Sequence, residues 1–213
     1  MMDATAANDA EIVLLRALEQ NESASTADLA ALHARCLPES ALTLLGGSGL
    51  EKAYRFMARS ESEEVFLALG SAGQVLGGAV VSYAPASAAR RLALHPSLAP
   101  YLALGWGRRL WRSFGPGRAS PAGAGSVAAK ASGPEVLSLF VAPELRRSGL
   151  GRRLLATSVE AVRKARLTSL SVFAPAATPE TLAFYQALGF ADKGAAAFRG
   201  QSLRLLEIGR AHV

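Results

Sequence analysis

The stretch Ser138 to Ala156 reads SLFVAPELRRSGLGRRLLA. Its first residues suit a β-strand, a basic turn carrying Gly149 and Gly151 follows, and the remainder has the spacing of an amphipathic helix. Glycines at such a turn let the backbone approach a ligand and point its N–H groups inward, and the helix behind them adds the positive end of its dipole. A turn built this way holds phosphate. Spacing separates the kinds of phosphate binder from one another. A Walker-type loop ends in Gly-Lys-Ser/Thr, whereas Gly151 is followed by Arg152. A dinucleotide fingerprint requires a third glycine where this chain has Leu154. The plain alternative is a strand-turn-helix junction with no ligand, which a second, independent signal has to outweigh.

That signal lies downstream. Thr178 to Phe190, TPETLAFYQALGF, reads as a helix ending in Phe184-Tyr185 and a turn at Gly189-Phe190, and Thr168 to Phe173 between the two stretches alternates as a strand. Arg146-x-x-Gly149-x-Gly151, preceded by Val141-x-Pro143 and a strand starting at Glu135, resembles motif A of the GNAT superfamily of N-acetyltransferases, whose loop binds the pyrophosphate of acetyl-CoA. Thr178 to Phe190 resembles motif B of the same family. The motifs stand in family order, and a ligand-free junction would require two coincidences.

The resemblance implies an α+β (mixed α/β) fold: a central, mostly antiparallel sheet of six to seven strands, flanked by helices and splayed at the acetyl-CoA site. Acetyl-CoA is the implied co-substrate. The backbone of Leu139, Phe140 and Val141 is expected to align its pantetheine arm as if it were another strand. Arg146, Arg147, Ser148, Gly149, Leu150, Gly151 and Arg152 are expected to hold its pyrophosphate. The strand is expected to bulge here, with the Phe140 N–H polarising the thioester carbonyl. Tyr185 is the expected general acid for the departing thiolate, and Phe184 the core aromatic. Glu135 stands where several family members carry the carboxylate that deprotonates the amine; its other reading is a solvated strand-end glutamate, with Ser138 and Tyr83 ordering a water instead. The implied acceptor is a primary amine of a small molecule or peptide, and a homodimer is a further expectation. Thr178 and Thr181 stand where the family often has Asn and Ala, which motivates an alternative, an acyl-CoA-binding regulatory domain without turnover.

Bulk properties set the frame. A chain of 213 residues, 50% hydrophobic, is long enough for one domain over residues 1–213. A single cysteine, Cys36, leaves no internal disulfide and fits a reducing, cytoplasmic setting. Val65 to Ala89 carries no charge and is long enough to cross a bilayer, but Gly70 to Gly73 divides it into Val65–Leu69 and Gln74–Tyr83, read as a β-hairpin, so no integral membrane segment is expected. The net charge of +6 favours acidic partners. Arg146, Arg147, Arg152 and Arg153 suit the phosphates of coenzyme A, whereas Arg90, Arg91, Arg108, Arg109 and Arg112 read as a solvated face. Without interleaved aromatic and basic residues, nucleic acid is not an expected partner. No metal-ligand spacing occurs, and His33 and Cys36, one helical turn apart, lack the geometry of a nucleophile-base pair.

Elsewhere, Glu11 to Leu18 is an apolar run open to helix or edge strand, for which the resemblance implies a first strand, and Asp28 to Cys36 reads as a helix stopped by Pro38. Gly46 to Gly49 is expected to terminate one helix and cap the next, Leu50 to Ala58. Leu98 to Phe114 reads as a broken amphipathic helix, and residues 115–134 as a flexible Gly/Ala/Ser/Pro-rich loop beside the site. Glu207 to Val213, EIGRAHV, back-translates to GAGATCGGAAGAGCACACGTC, which matches the start of a common sequencing-library adapter; residues 208–213 are therefore expected to be an artefactual tail.

Overall fold

A computed structural model describes residues 9–15, 22–101, 133–198 and 201–209 of the chain. In chain order the elements are β1 (Glu11–Leu14), α1 (Glu22–Cys36), α2 (Gly46–Arg59), β2 (Glu63–Leu69), β3 (Val75–Ser82), α3 (Pro85–Leu94), β4 (Glu135–Val141), α4 (Leu150–Lys164), β5 (Leu170–Pro175), α5 (Pro179–Gln186), β6 (Ala191–Phe198) and β7 (Gln201–Ile208), with short helical turns between some of them. The strands form one seven-stranded sheet in the order β1-β2-β3-β4-β5-β7-β6. Neighbouring strands run antiparallel except β4 and β5, which are parallel.

Apolar spacing decides how the helices lie on this sheet. In α2 the buried positions Leu50, Ala53, Tyr54, Met57 and Ala58 fall on one helical stripe. In α4 the stripe is Leu150, Leu154, Leu155, Ser158 and Val162. A Cβ at Gly77 of β3 would meet Leu154 of α4, and one at Gly78 would meet Leu29 of α1, so α1 and α4 cover opposite faces of the sheet. Both residues being glycine lets the two layers close on β3. This double cover explains the uncharged run from Val65 to Ala89. It is the central β2-β3 hairpin followed by the start of α3, and no helix among the described residues is long and apolar enough to cross a membrane.

Several boundaries differ from the sequence reading. β1 ends at Leu14, and residues 16–18 of the expected strand lie outside the described residues. α1 starts at Glu22, ahead of the expected Asp28. The glycine run does not cap a helix at Leu50. α2 begins at Gly46 itself, behind a short 3-10 turn at Thr43–Leu45, because backbone bonds of the first turn need no side chain. Leu98 is buried before the turn Ala99–Tyr101. The rest of the expected amphipathic helix (102–114) and most of the expected loop (115–132) lie outside the described residues. Ile208, the first residue of the expected tail, pairs with Leu170 and is buried, while 210–213 lie outside the described residues.

Candidate active site

The site begins where two strands part. β4 pairs with β5 only at Glu135–Ser171 and Val136–Val172, so among the described residues Leu137 to Val141 pair with no strand on that side and the sheet opens. On the other side, β4 bulges against β3. Val80 lies opposite Ser138 but Val81 lies opposite Val136, which leaves Leu137 as the extra residue. The bulge has a consequence for side-chain direction. Residues three apart on a regular strand point to opposite faces. Here Glu135 lies opposite Ser82 and Ser138 opposite Val80, and since Ser82 and Val80 share a face, Glu135 and Ser138 do too. That is the face covered by α1 and α2.

Ladder alternation also fixes which backbone groups face the opening. Ala142 donates to the Leu76 carbonyl at 2.9 Å, so Phe140, two residues back and opposite Gly78, is turned toward β3 as well. Leu139 and Val141 direct their N–H and C=O groups away from β3, toward the gap. The Phe140 N–H expected to polarise a thioester is therefore committed to the sheet, and its neighbour Leu139 presents an N–H in its place. The Phe140 side chain is buried.

Beyond Val141 the chain makes a 3-10 turn at Pro143–Leu145 and enters the phosphate loop. Arg147 (φ 65°) and Gly149 (φ 87°) both adopt the left-handed conformation, which curls successive N–H groups toward one side. The Ser148 hydroxyl donates to the Leu145 carbonyl at 2.6 Å and ties the curl. The first intrahelical bond of α4 runs from the Arg153 N–H to the Gly149 carbonyl at 3.1 Å, so the N–H groups of Gly151 and Arg152 have no partner within the helix. A cavity of about 410 Å³ lies over them, lined by Val141, Leu145, Arg146, Arg147, Gly149, Gly151, Arg152 and Phe184. Three guanidinium groups, helix-terminal N–H groups and an opening between strands fit a pyrophosphate with an extended arm. Leu150 contributes only backbone, since its side chain is in the core. Arg153 is not part of this arrangement: its guanidinium bonds the Ala10 carbonyl beside β1. An ion pair between Arg35 and Glu144 (3.1 Å) fastens the loop to the end of α1.

Motif B supplies the opposite wall through Phe184. Phe184, expected in the core, is half-buried and faces Gly151 and Val141 across the cavity. Tyr185 is buried against Phe184 and Phe190, with ring centroids 5.1 and 5.4 Å away. Burial pushes its hydroxyl well above the usual phenol range, so it keeps its proton at neutral pH. Glu135, by contrast, is a carboxyl whose burial raises it to about 7. It stands half-buried at the first position of β4. Tyr83 does not face it in the expected water-ordering role, as its hydroxyl donates to Glu64 at 2.8 Å.

Other candidates fall into structural roles. Buried Glu63 accepts from Ser82 (3.0 Å) and pairs with Arg91, which removes Arg91 from the expected solvated face. Arg90 is exposed, and Arg108, Arg109 and Arg112 lie outside the described residues. His33 and Cys36 do not bond each other: the Cys36 thiol donates to the Val141 carbonyl at 3.3 Å, while His33 meets Tyr54 and Ser40. His95 bonds Ser97 and packs on Phe56. Among the described residues there is no cluster of metal-ligating side chains.

Comparison with known proteins agrees with this geometry. No curated protein matches the sequence. Mutant forms of the spermidine/spermine N-acetyltransferase SpeG from Vibrio cholerae share the fold, with a TM-score of 0.58 at 12% identity over 96% of this chain and 95% of that one. So does the ribosomal-protein-S18-alanine N-acetyltransferase from Escherichia coli, with a TM-score of 0.54 at 14% identity over 94% and 93%. Residues 117–192 match the model of the acetyltransferase (GNAT) domain, a segment that contains the parted strand, the phosphate loop and both flanking helices. Over residues 117–192 the chain is thus similar to the GNAT acetyltransferase domain, a family whose acyl donor is acetyl-CoA.

Proposed function

We propose that the protein transfers the acetyl group of acetyl-CoA to a primary amine of a small molecule or peptide. The observation that carries this reading is the parting of β4 from β5 directly above an arginine-lined loop. It offers one continuous path from phosphate site to strand backbone. Acetyl-CoA supplies a thioester, an acyl group already activated toward amines. Arg146, Arg147 and Arg152, with the N–H groups of Gly149 and Gly151, hold its phosphates. The backbone of Leu139 and Val141 aligns the arm, and the Leu139 N–H is aimed at the carbonyl oxygen, where negative charge develops.

Glu135 takes the proton that an ammonium must lose before it can attack, and a carboxyl held near pH 7 is suited to that exchange. Tyr185 holds a proton for the departing sulfur. A spermidine/spermine N-acetyltransferase and a ribosomal-protein-S18-alanine N-acetyltransferase are both among the structural neighbours, which is in keeping with an amine acceptor and leaves its identity open.

Calorimetric titration with acetyl-CoA tests the reading. Wild type should bind in the micromolar range, about 8 kcal/mol, and Gly149→Glu, which places a carboxylate in the phosphate loop, should abolish binding. Folded wild-type protein that does not bind would remove the reading's basis. Binding without acetylation of any amine in a broad panel would identify an acyl-CoA-binding regulatory domain instead.

A further inference from the structure

The arm of acetyl-CoA takes the gap between β4 and β5, so the nucleotide end of the same molecule needs another surface adjoining the phosphate loop. A second cavity meets that condition. It has a volume of about 300 Å³ and shares one lining residue with the first, Arg152. From there it follows α4, whose Arg152, Ala156, Val159 and Arg163 are three or four residues apart and so fall on one stripe, about 16 Å long at the helical rise. Phe190 and Ile208, both buried, form its floor, and Leu188, in the turn after α5, forms its other wall.

Charge is laid along this groove in a set order. At the loop end Arg152 is exposed and, among the described residues, has no ion-pair partner, so its guanidinium is available to an anion. The middle is apolar. At the far end Arg163 donates to Glu160 through Nε at 2.7 Å and Nη2 at 2.6 Å, which leaves no unpaired carboxylate there to repel an anionic ligand. A free cation leading into an apolar bed suits a ligand with phosphate at one end and a flat, weakly polar ring at the other, and the cleft is of a size that takes one. Its continuity with the phosphate cavity through Arg152 favours a molecule already held at the loop over a separate partner.

We propose that the groove along α4 holds the adenosine end of acetyl-CoA, with Arg152 toward its ribose phosphate and the base lying on Ala156, Val159 and Leu188. The inference rests on the acetyl-CoA reading above. It makes the nucleotide a source of affinity in its own right, beyond the pyrophosphate and the arm.

Calorimetric titration of the intact protein with two ligands tests it: acetyl-CoA, and S-acetyl phosphopantetheine, which keeps the thioester and the arm but lacks the adenosine end. Ala156 is exposed, so Ala156→Trp fills the groove without entering the core. It should weaken acetyl-CoA about tenfold and leave S-acetyl phosphopantetheine within about twofold of wild type. Val159→Glu, which sets a carboxylate in the middle of the groove, should act in the same direction. Adenosine 3′,5′-bisphosphate should compete with acetyl-CoA on the wild type and about tenfold less well on Ala156→Trp. Unchanged acetyl-CoA affinity in both folded variants would overturn the proposal, and so would an equal loss of both ligands, which would put the effect at the loop. A groove that is instead an interface between copies of the chain would show as a halved sedimenting mass in Ala156→Trp with acetyl-CoA affinity intact, which overturns it as well. Wild-type protein that binds neither ligand would sink the acetyl-CoA reading itself, and is told apart by appearing before any substitution is made.

Discussion

Gly149 and Gly151 are two residues apart in the phosphate loop, yet one added methyl should act on them in opposite ways. Gly149 has φ 87°, and a Cβ there would meet nothing within 4 Å. The penalty of Gly149→Ala is therefore conformational, about 1–2 kcal/mol for a left-handed non-glycine residue. In a chain of this size that is a fall in Tm of roughly 2–8 °C. Gly151 lies in the first turn of α4 without a positive φ, and its Cβ would touch Phe184 Cζ and Val141 Cγ2 at 3.7 Å, an ordinary contact. Alanine is the better helix former by up to about 1 kcal/mol, so Gly151→Ala should leave Tm unchanged or raise it by a few degrees. Both methyls line the cavity. If each disturbs one charge-assisted bond to the pyrophosphate, about 1.5–3 kcal/mol, acetyl-CoA affinity should fall roughly ten- to hundredfold in both. Differential scanning calorimetry and acetyl-CoA titration on the same samples read the two quantities separately. A Gly151→Ala protein less stable than Gly149→Ala, or one that binds acetyl-CoA as wild type does, would refute the placement of these glycines.

Three further outcomes follow from the buried polar groups. Folded Glu135 holds its proton up to about pH 7, whereas the unfolded chain releases it near 4.5, so the folded state binds more protons in between and stability falls as pH rises through that window. Glu135→Gln should remove this cost, raising stability at pH 8 by at most about 3 kcal/mol and little at pH 4, while abolishing the rise of kcat/KM through pH 7; equal stabilisation at both pH values would contradict it. Tyr185→Phe should lower kcat by about a hundredfold or more with acetyl-CoA affinity preserved, and unchanged turnover would remove Tyr185 as the acid. Glu63→Ala strands the Ser82 hydroxyl and the partly exposed Arg91, and should cost about 2–3 kcal/mol in urea unfolding; a loss under 1 kcal/mol would show that the pair contributes little.

Much of this molecule was legible in its sequence because the informative signals are local. Glycine spacing after a strand, an arginine-rich turn and a Phe-Tyr helix end are fixed within a few residues of one another, and they yielded the strand-loop-helix unit and the helix that faces it. The uncharged hairpin was legible too, since Gly70 to Gly73 interrupts it. The placement of Phe184 at the cavity was not. Adjacent residues on a short helix differ by about 100° in direction, and only the position of α5 against Gly151 decides which one meets the cavity. Arg91 and Arg153 look like solvated or phosphate-facing charges in sequence because their partners, Glu63 and the Ala10 carbonyl, lie far away along the chain.

The division follows the range of the forces involved. The sequence by itself determined the backbone conformation of the phosphate loop and the order of elements around it, since glycine tolerance, hydrophobic period and helix-terminal N–H groups act over one turn of chain. Tertiary structure decided the rest. The extra residue Leu137 appears only when β4 is registered against β3, and it turns Glu135 onto the face of Ser138 and gives Leu139, not Phe140, the N–H at the opening. The raised carboxyl of Glu135 likewise arises from burial among residues distant in sequence, where desolvation, rather than local propensity, sets the chemistry.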